Sequence, residues 1–218
     1  MAHVPVSTRL TNVMTRTFIF KAVRNALLVL VVVYLGVCSC AEWRAYRERK
    51  DADRLIVELR GLRVGESTLD DAKAIAIHHG AYRRSLLKPE PPSCDDSGDK
   101  DEPCFFDFGY ENSLLARLGL ATKVLFGVRV QIYQGRVDRI SMDLLCGAEP
   151  NVFGVTVQEQ IQPSTEYTAT PFSNRPSVLW VRLTPRAPER ARAYSLSLKC
   201  FDHIGRCNSK AELLPAVH

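Results

Sequence analysis

The sequence predicts an α+β protein. An N-terminal transmembrane helix and helical stalk lead into a small domain in which two helices cover one face of a mostly antiparallel sheet of about six strands. Three observations carry this. Residues 25–41, NALLVLVVVYLGVCSCA, run without a charge. Residues 42–79 keep their apolar positions at helical spacing, with one glycine-rich break. From residue 104 onward apolar and polar residues alternate in segments joined by turns, with no long helix between them, which argues for antiparallel pairing.

The charge-free run comes first. As a helix it spans roughly 25 Å at about 1.5 Å per residue, near the lower limit for a bilayer core. Phe18, Ile19 and Phe20 lengthen it by a turn if Lys21 and Arg24 snorkel to the headgroups. The expected span is therefore 18–41, with Trp43 and Tyr46 at the far interface. Three rivals stay open, one of them a buried core helix. A cleaved signal peptide has a shorter apolar region, about 7–15 residues. Val37-Cys38-Ser39-Cys40 has the outline of a lipoprotein cleavage box that would acylate Cys40. Residues 1–17 are polar and aperiodic and read as a short disordered cytoplasmic tail. Lys and Arg flank both ends of the span, so they do not orient it. Cysteine usage places the downstream domain outside the cytoplasm, periplasmic or extracellular.

Net charge is +5, but residues 1–41 hold four Lys/Arg and no acid. The rest is nearly balanced and offers no electrostatic footprint for nucleic acid. The expected partners are the membrane and a protein of the cell envelope.

Residues 42–60 continue the helix as a stalk, with Arg47 and Asp51 four apart for pairing. Leu55, Ile56, Leu59 and Leu62 form a stripe that reads as a core contact more readily than as a dimer seam. The domain proper is 61–218. Gly61 to Gly65 break the helix. Ser67 with Asp70 approximates a capping box for a second helix over 68–79, with Leu69, Ala72, Ile75 and Ala76 as its buried side and Gly80 as its left-handed cap. Residues 88–103 are rich in Pro and acid and read as a surface loop. Strands are expected at 104–110, 124–133, 136–146, 152–158, 178–183 and 193–199, with a turn or short helix at 112–120. Gln134-Gly135 is a hairpin turn, 159–177 a loop, and 210–214 a last turn capped by Ser209.

The phrase Leu62-x-Val64-Gly65-x-Ser67-Thr68-x-x-Asp71, ending at Gly80, resembles the helix opening of small outer-membrane assembly lipoproteins of the SmpA/OmlA type. That resemblance implies two helices before a small antiparallel sheet. The wider pattern also includes the cysteine before Phe105-Phe106, and Cys200-x6-Cys207 followed by Leu213-Leu214-Pro215. It is similar to uncharacterised bacterial single-span exported proteins and implies no activity and no functional residues.

Seven cysteines occur. Cys94 with Cys104, and Cys200 with Cys207, bracket short segments and read as disulfides of an exported domain. A competing pairing joins Cys146 to Cys200. Cys146 otherwise packs as a small buried residue. The absence of a C-x-x-C pair speaks against a zinc ribbon or thioredoxin-like site. His78 and His79 close a helix, where adjacent side chains diverge by about 100°, and have no partner in sequence; His203 sits between two cysteines. No metal or cofactor is expected. The acidic loop, Asp95 to Glu102, fails the EF-hand spacing. No G-x-S-x-G, H-E-x-x-H or P-loop motif occurs, and no catalytic residue is expected. The function this leaves is a membrane-anchored envelope protein with a non-catalytic binding or scaffolding domain. An extracytoplasmic hydrolase, or a regulatory ectodomain acting through a membrane partner, is the alternative.

Overall fold

The computed structural model describes residues 7–80, 94, 103–147, 151–161, 167–172, 175–202 and 213. The chain forms two units, Met1–Ala41 and Glu42–His218. Helix α1 (Ser7–Gly61) contributes to both. In the first unit it is long and apolar enough to cross a membrane, with a mean hydropathy of 2.1 in its most apolar window. Leu27, Leu30, Val32 and Leu35 are all more than half exposed there. The helix begins at Ser7, so residues 7–17 are helical rather than a disordered tail. No Gly or Pro interrupts them, and propagation from an established helix is cheap once nucleation is done.

In the second unit α1 buries Ala52, Leu55, Ile56 and Leu59, followed by Leu62 and Val64 just past its end. The apolar stripe is thus a core contact. Its charged side differs in detail from the expected pairing. Asp51 meets Arg54, Arg49 meets Asp53, and Arg47 stacks 5.0 Å from the Trp43 ring centroid. Helix α2 (Leu69–His79) buries Ala72 and Ala76, with Leu69 and Ile75 packed against the same core. Its cap is Thr68, one residue later than the sequence reading. Thr68 Oγ1 accepts from the Asp71 amide, and the Asp71 carboxylate accepts from the Thr68 amide at 2.8 Å. Ser67 is otherwise engaged: its hydroxyl oxygen accepts from the Arg63 amide at 2.9 Å and closes the preceding turn. Gly80 caps the far end in the left-handed conformation.

Among the described residues the sheet has six strands: β1 (Cys104–Glu111), β2 (Val124–Tyr133), β3 (Arg136–Cys146), β4 (Phe153–Gln160), β5 (Tyr167–Phe172) and β6 (Arg175–Leu183). Their spatial order is β1-β2-β3-β4-β6-β5. All neighbouring pairs are antiparallel except β4–β6. Helix α3 (Ser113–Arg117) joins β1 to β2. After the sheet come α4 (Arg190–Ala193) and a 3-10 turn, Lys199–Phe201. Two expectations are corrected here. Residues 167–172, read as loop, are the edge strand β5. Residues 193–199 are no strand; they bury Tyr194, Leu196 and Leu198 in alternation while joining no sheet. The last turn at 210–214 and its Ser209 cap lie outside the described residues, apart from Leu213, which is buried.

One face of the sheet is the core. Phe106, Val130, Ile140, Glu159 and Leu183 form one row across it, and Phe108, Val128, Met142, Val157 and Val181 the next. The buried residues of α1 and α2 belong to this same cluster. Glu159 is a fully buried carboxylate in an apolar row. It accepts from Arg190 Nε at 2.9 and 3.0 Å and from the Tyr194 hydroxyl. Burial, and then the adjoining carboxylate, push the Tyr194 hydroxyl well above the ordinary phenol range. Arg190 also donates to the carbonyls of Arg60 and Leu62, and so caps the end of α1.

Candidate functional site

Strand alternation that sends one set of side chains to the core sends the other to a second face. Asp107, Arg129, Ser141, Gln158, Arg182 and Thr168 form one row of that face. Gly109, Gly127, Asp143, Thr156, Trp180 and Thr170 form the next. The side chains are mostly half-buried and linked laterally. Arg129 grips Asp107 through two hydrogen bonds of 2.7 and 3.0 Å and lies over the Phe105 ring. The bond to Asp107 holds the guanidinium of Arg129 above its usual range. Thr156 donates to Asp143 at 2.7 Å, while burial raises the Asp143 carboxyl above the usual carboxylate range. Arg182 stacks 4.5 Å from the Trp180 centroid, and Phe172 packs on the same indole. Trp180 Nε1 and Arg182 Nε are buried donor atoms that make no hydrogen bond among the described residues.

A second constellation lies where α1 meets the end of α2. Glu58 Oε1 is 2.8 Å from His78 Nδ1, and Glu58 Oε2 is 3.2 Å from His79 Nε2. Tyr110 on β1 places its hydroxyl 3.3 Å from His79 Nδ1. Phe108 meets the His79 ring edge-on. The sequence pattern singled out both histidines but not Glu58, which lies twenty residues before His78. Only the reversal of chain direction between α1 and α2 brings the carboxylate to them.

Cys94 and Cys104 are bonded to each other, with Cα atoms 5.1 Å apart. Cys200 is disulfide-bonded, and Cys207 lies outside the described residues, as do His203 and the acidic loop from Asp95 to Glu102. Cys146 is buried at the end of β3 and carries a thiol. Cys38 and Cys40 lie in the first unit, the former half-buried and the latter exposed.

No protein-family model, curated protein or solved structure matches this chain.

Proposed function

We propose that this protein is a membrane-tethered, non-catalytic binding protein, whose polar sheet face engages a protein partner in the cell envelope. The observation that carries the tether is the continuous apolar surface of α1 between Phe20 and Val37, far larger than a soluble surface tolerates. Trp43 and Tyr46 follow it at once, exposed and each beneath a basic side chain four residues on, Arg47 and Lys50. Aromatic rings with adjacent cations are the residues that settle at a headgroup boundary. The polar face supports the binding half of the reading. It gathers Trp180, Arg129 and Arg182, the side-chain types enriched in interfaces. Their lateral stacking and ion pairs hold them in fixed rotamers, which lowers the entropy lost on association. The domain is assigned to the extracytoplasmic side on the disulfides, and Cys200–Cys207 is the proposed second bridge.

Two measurements test this. A reporter fused after His218 is expected to be active only in its exported form. A photo-crosslinking residue at Gln158 is expected to trap one discrete envelope protein in intact cells, and one at Val57 on exposed α1 is expected not to trap it. Cytoplasmic reporter activity would reverse the topology. Identical adducts from both positions would remove the sheet face as the docking surface.

A further inference from the structure

We propose that Glu58, His78 and His79 form a binding site for a divalent first-row transition ion of the zinc class. The three side chains offer two imidazole nitrogens and a carboxylate, a donor set suited to that group of ions. Their ligand atoms all lie within 4.8 Å of one another. A tetrahedral ion at about 2.0–2.1 Å from each donor sets neighbouring donors roughly 3.3 Å apart. Glu58 meets the two histidines through different oxygens, Oε1 at 2.8 Å from His78 Nδ1 and Oε2 at 3.2 Å from His79 Nε2, so rotation of the exposed His78 side chain closes the set from within 4.8 Å to that spacing.

His79 distinguishes this site from an ion-paired surface cluster. Its side chain is only 5 % exposed. Its Nε2 lies 3.2 Å from Glu58 Oε2 yet makes no hydrogen bond among the described residues. A protonated Nε2 in an ordinary ion pair would be aligned on the carboxylate; this nitrogen is near it and misaligned. The opposite ring nitrogen faces the Tyr110 hydroxyl. A proton on Nδ1, donated to Tyr110 oxygen, leaves the Nε2 lone pair free to ligate, which is how a second hydrogen bond fixes the tautomer of a metal-bound histidine. Phe108 packs against the ring and holds its plane. The carbonyl end of α2 adds negative potential at the same place.

His78 is 67 % exposed and Glu58 31 %. The fourth coordination position therefore opens toward solvent, available to water or to a donor from another molecule. An ion here joins α1 to the end of α2 within the second unit. The proposal is independent of what binds the sheet face.

The test uses the full-length chain in detergent micelles, stripped of metal and titrated with zinc against a chromophoric chelator. One zinc per chain is expected. Glu58→Gln and His78→Ala are each expected to weaken binding at least about tenfold, since each removes a direct ligand, and second-shell losses alone reach that size. Zinc is expected to raise the unfolding midpoint of the wild-type chain but not of His78→Ala. His78 is exposed, so that variant keeps its fold, and its midpoint without zinc verifies this. Cobalt in place of zinc is expected to give visible bands without thiolate charge transfer. Affinity unchanged in both variants would assign the zinc to cysteine thiols and overturn the site. No binding at 100-fold excess over protein would leave the three side chains as an ion-pair cluster and overturn it equally.

Discussion

Thr68 and Ser67 are neighbouring hydroxyls with different tasks. Thr68 caps α2, so Thr68→Ala is expected to cost about 1 kcal/mol in chemical denaturation. Ser67→Ala removes one exposed hydrogen bond to Arg63 and is expected to cost less, about 0.5 kcal/mol. The sequence carries two overlapping phrases, Ser67-x-x-Asp70 and Thr68-x-x-Asp71, both of capping form. Which one caps depends on where the glycine turn releases the chain, and spacing alone does not hold that. Asp143 gives a residue-level pH prediction. Its folded carboxyl titrates above the unfolded one, because burial outweighs the Thr156 bond and the Arg129 charge. The native state then binds the extra proton, and its contribution is complete below the ordinary carboxylate range. That contribution is lost as pH rises through the raised value. Asp143→Asn keeps the acceptor for Thr156 without the charge. It is expected to unfold at a slightly higher denaturant midpoint than wild type at pH 7, with the gap closing at low pH. A gap that widens on acidification would contradict the assignment.

At the scale of elements, β5 and β6 show why alternation is an incomplete guide. β6 is apolar on both faces around Trp180 and lies inside the sheet, beside β4. β5 holds Pro171, which cannot donate to a ladder, and occupies the edge, where no donor is required on its outer side. Proline made the segment read as loop. The reverse error arose at 193–199, where alternating burial follows from a segment lying across the core without strand pairing. The β2–β3 hairpin was legible because Gly135 announces its turn. Gln134 beside it also has positive φ, 51°, which side chains with a Cβ resist. Two left-handed residues make the tight hairpin turn for which Asn-Gly is the preferred pair. Gln134→Asn is therefore expected to stabilise the domain by roughly 0.5 kcal/mol, read as a higher thermal midpoint.

Across the whole molecule, the C-terminal segment locks the N-terminal helix to the sheet through one polar hub. Arg190 neutralises Glu159 on β4, caps α1 and stacks 4.7 Å from the Tyr194 ring centroid. Arg60 returns a hydrogen bond to the Tyr194 carbonyl at 2.7 Å. Removing Arg190 would leave a carboxylate in an apolar row, so Arg190→Ala is expected to cost about 3–5 kcal/mol. Arg186→Ala, outside this hub, is the control and is expected to be nearly neutral. The order of elements from α1 to β4 was readable because it rests on local periodicity. Neither the hub nor the Glu58–His78–His79 cluster was. The hub joins β4 to a segment thirty-one residues further on, and the cluster joins two helices whose crossing is set by the Gly61–Gly65 turn between them; no short-range pattern encodes either.

The same hub sets an order of events during synthesis. Glu159 leaves the ribosome thirty-one residues before Arg190. At about 5–20 residues per second the interval is roughly 2–6 s. Strands β1 to β4 are sequence neighbours and spatial neighbours, so they can pair in that time. Burying the inward face of the fourth strand is costly in that interval, because the carboxylate it carries has no counter-charge yet. A single acid thus makes closure of the half-made chain unfavourable until its last quarter supplies Arg190.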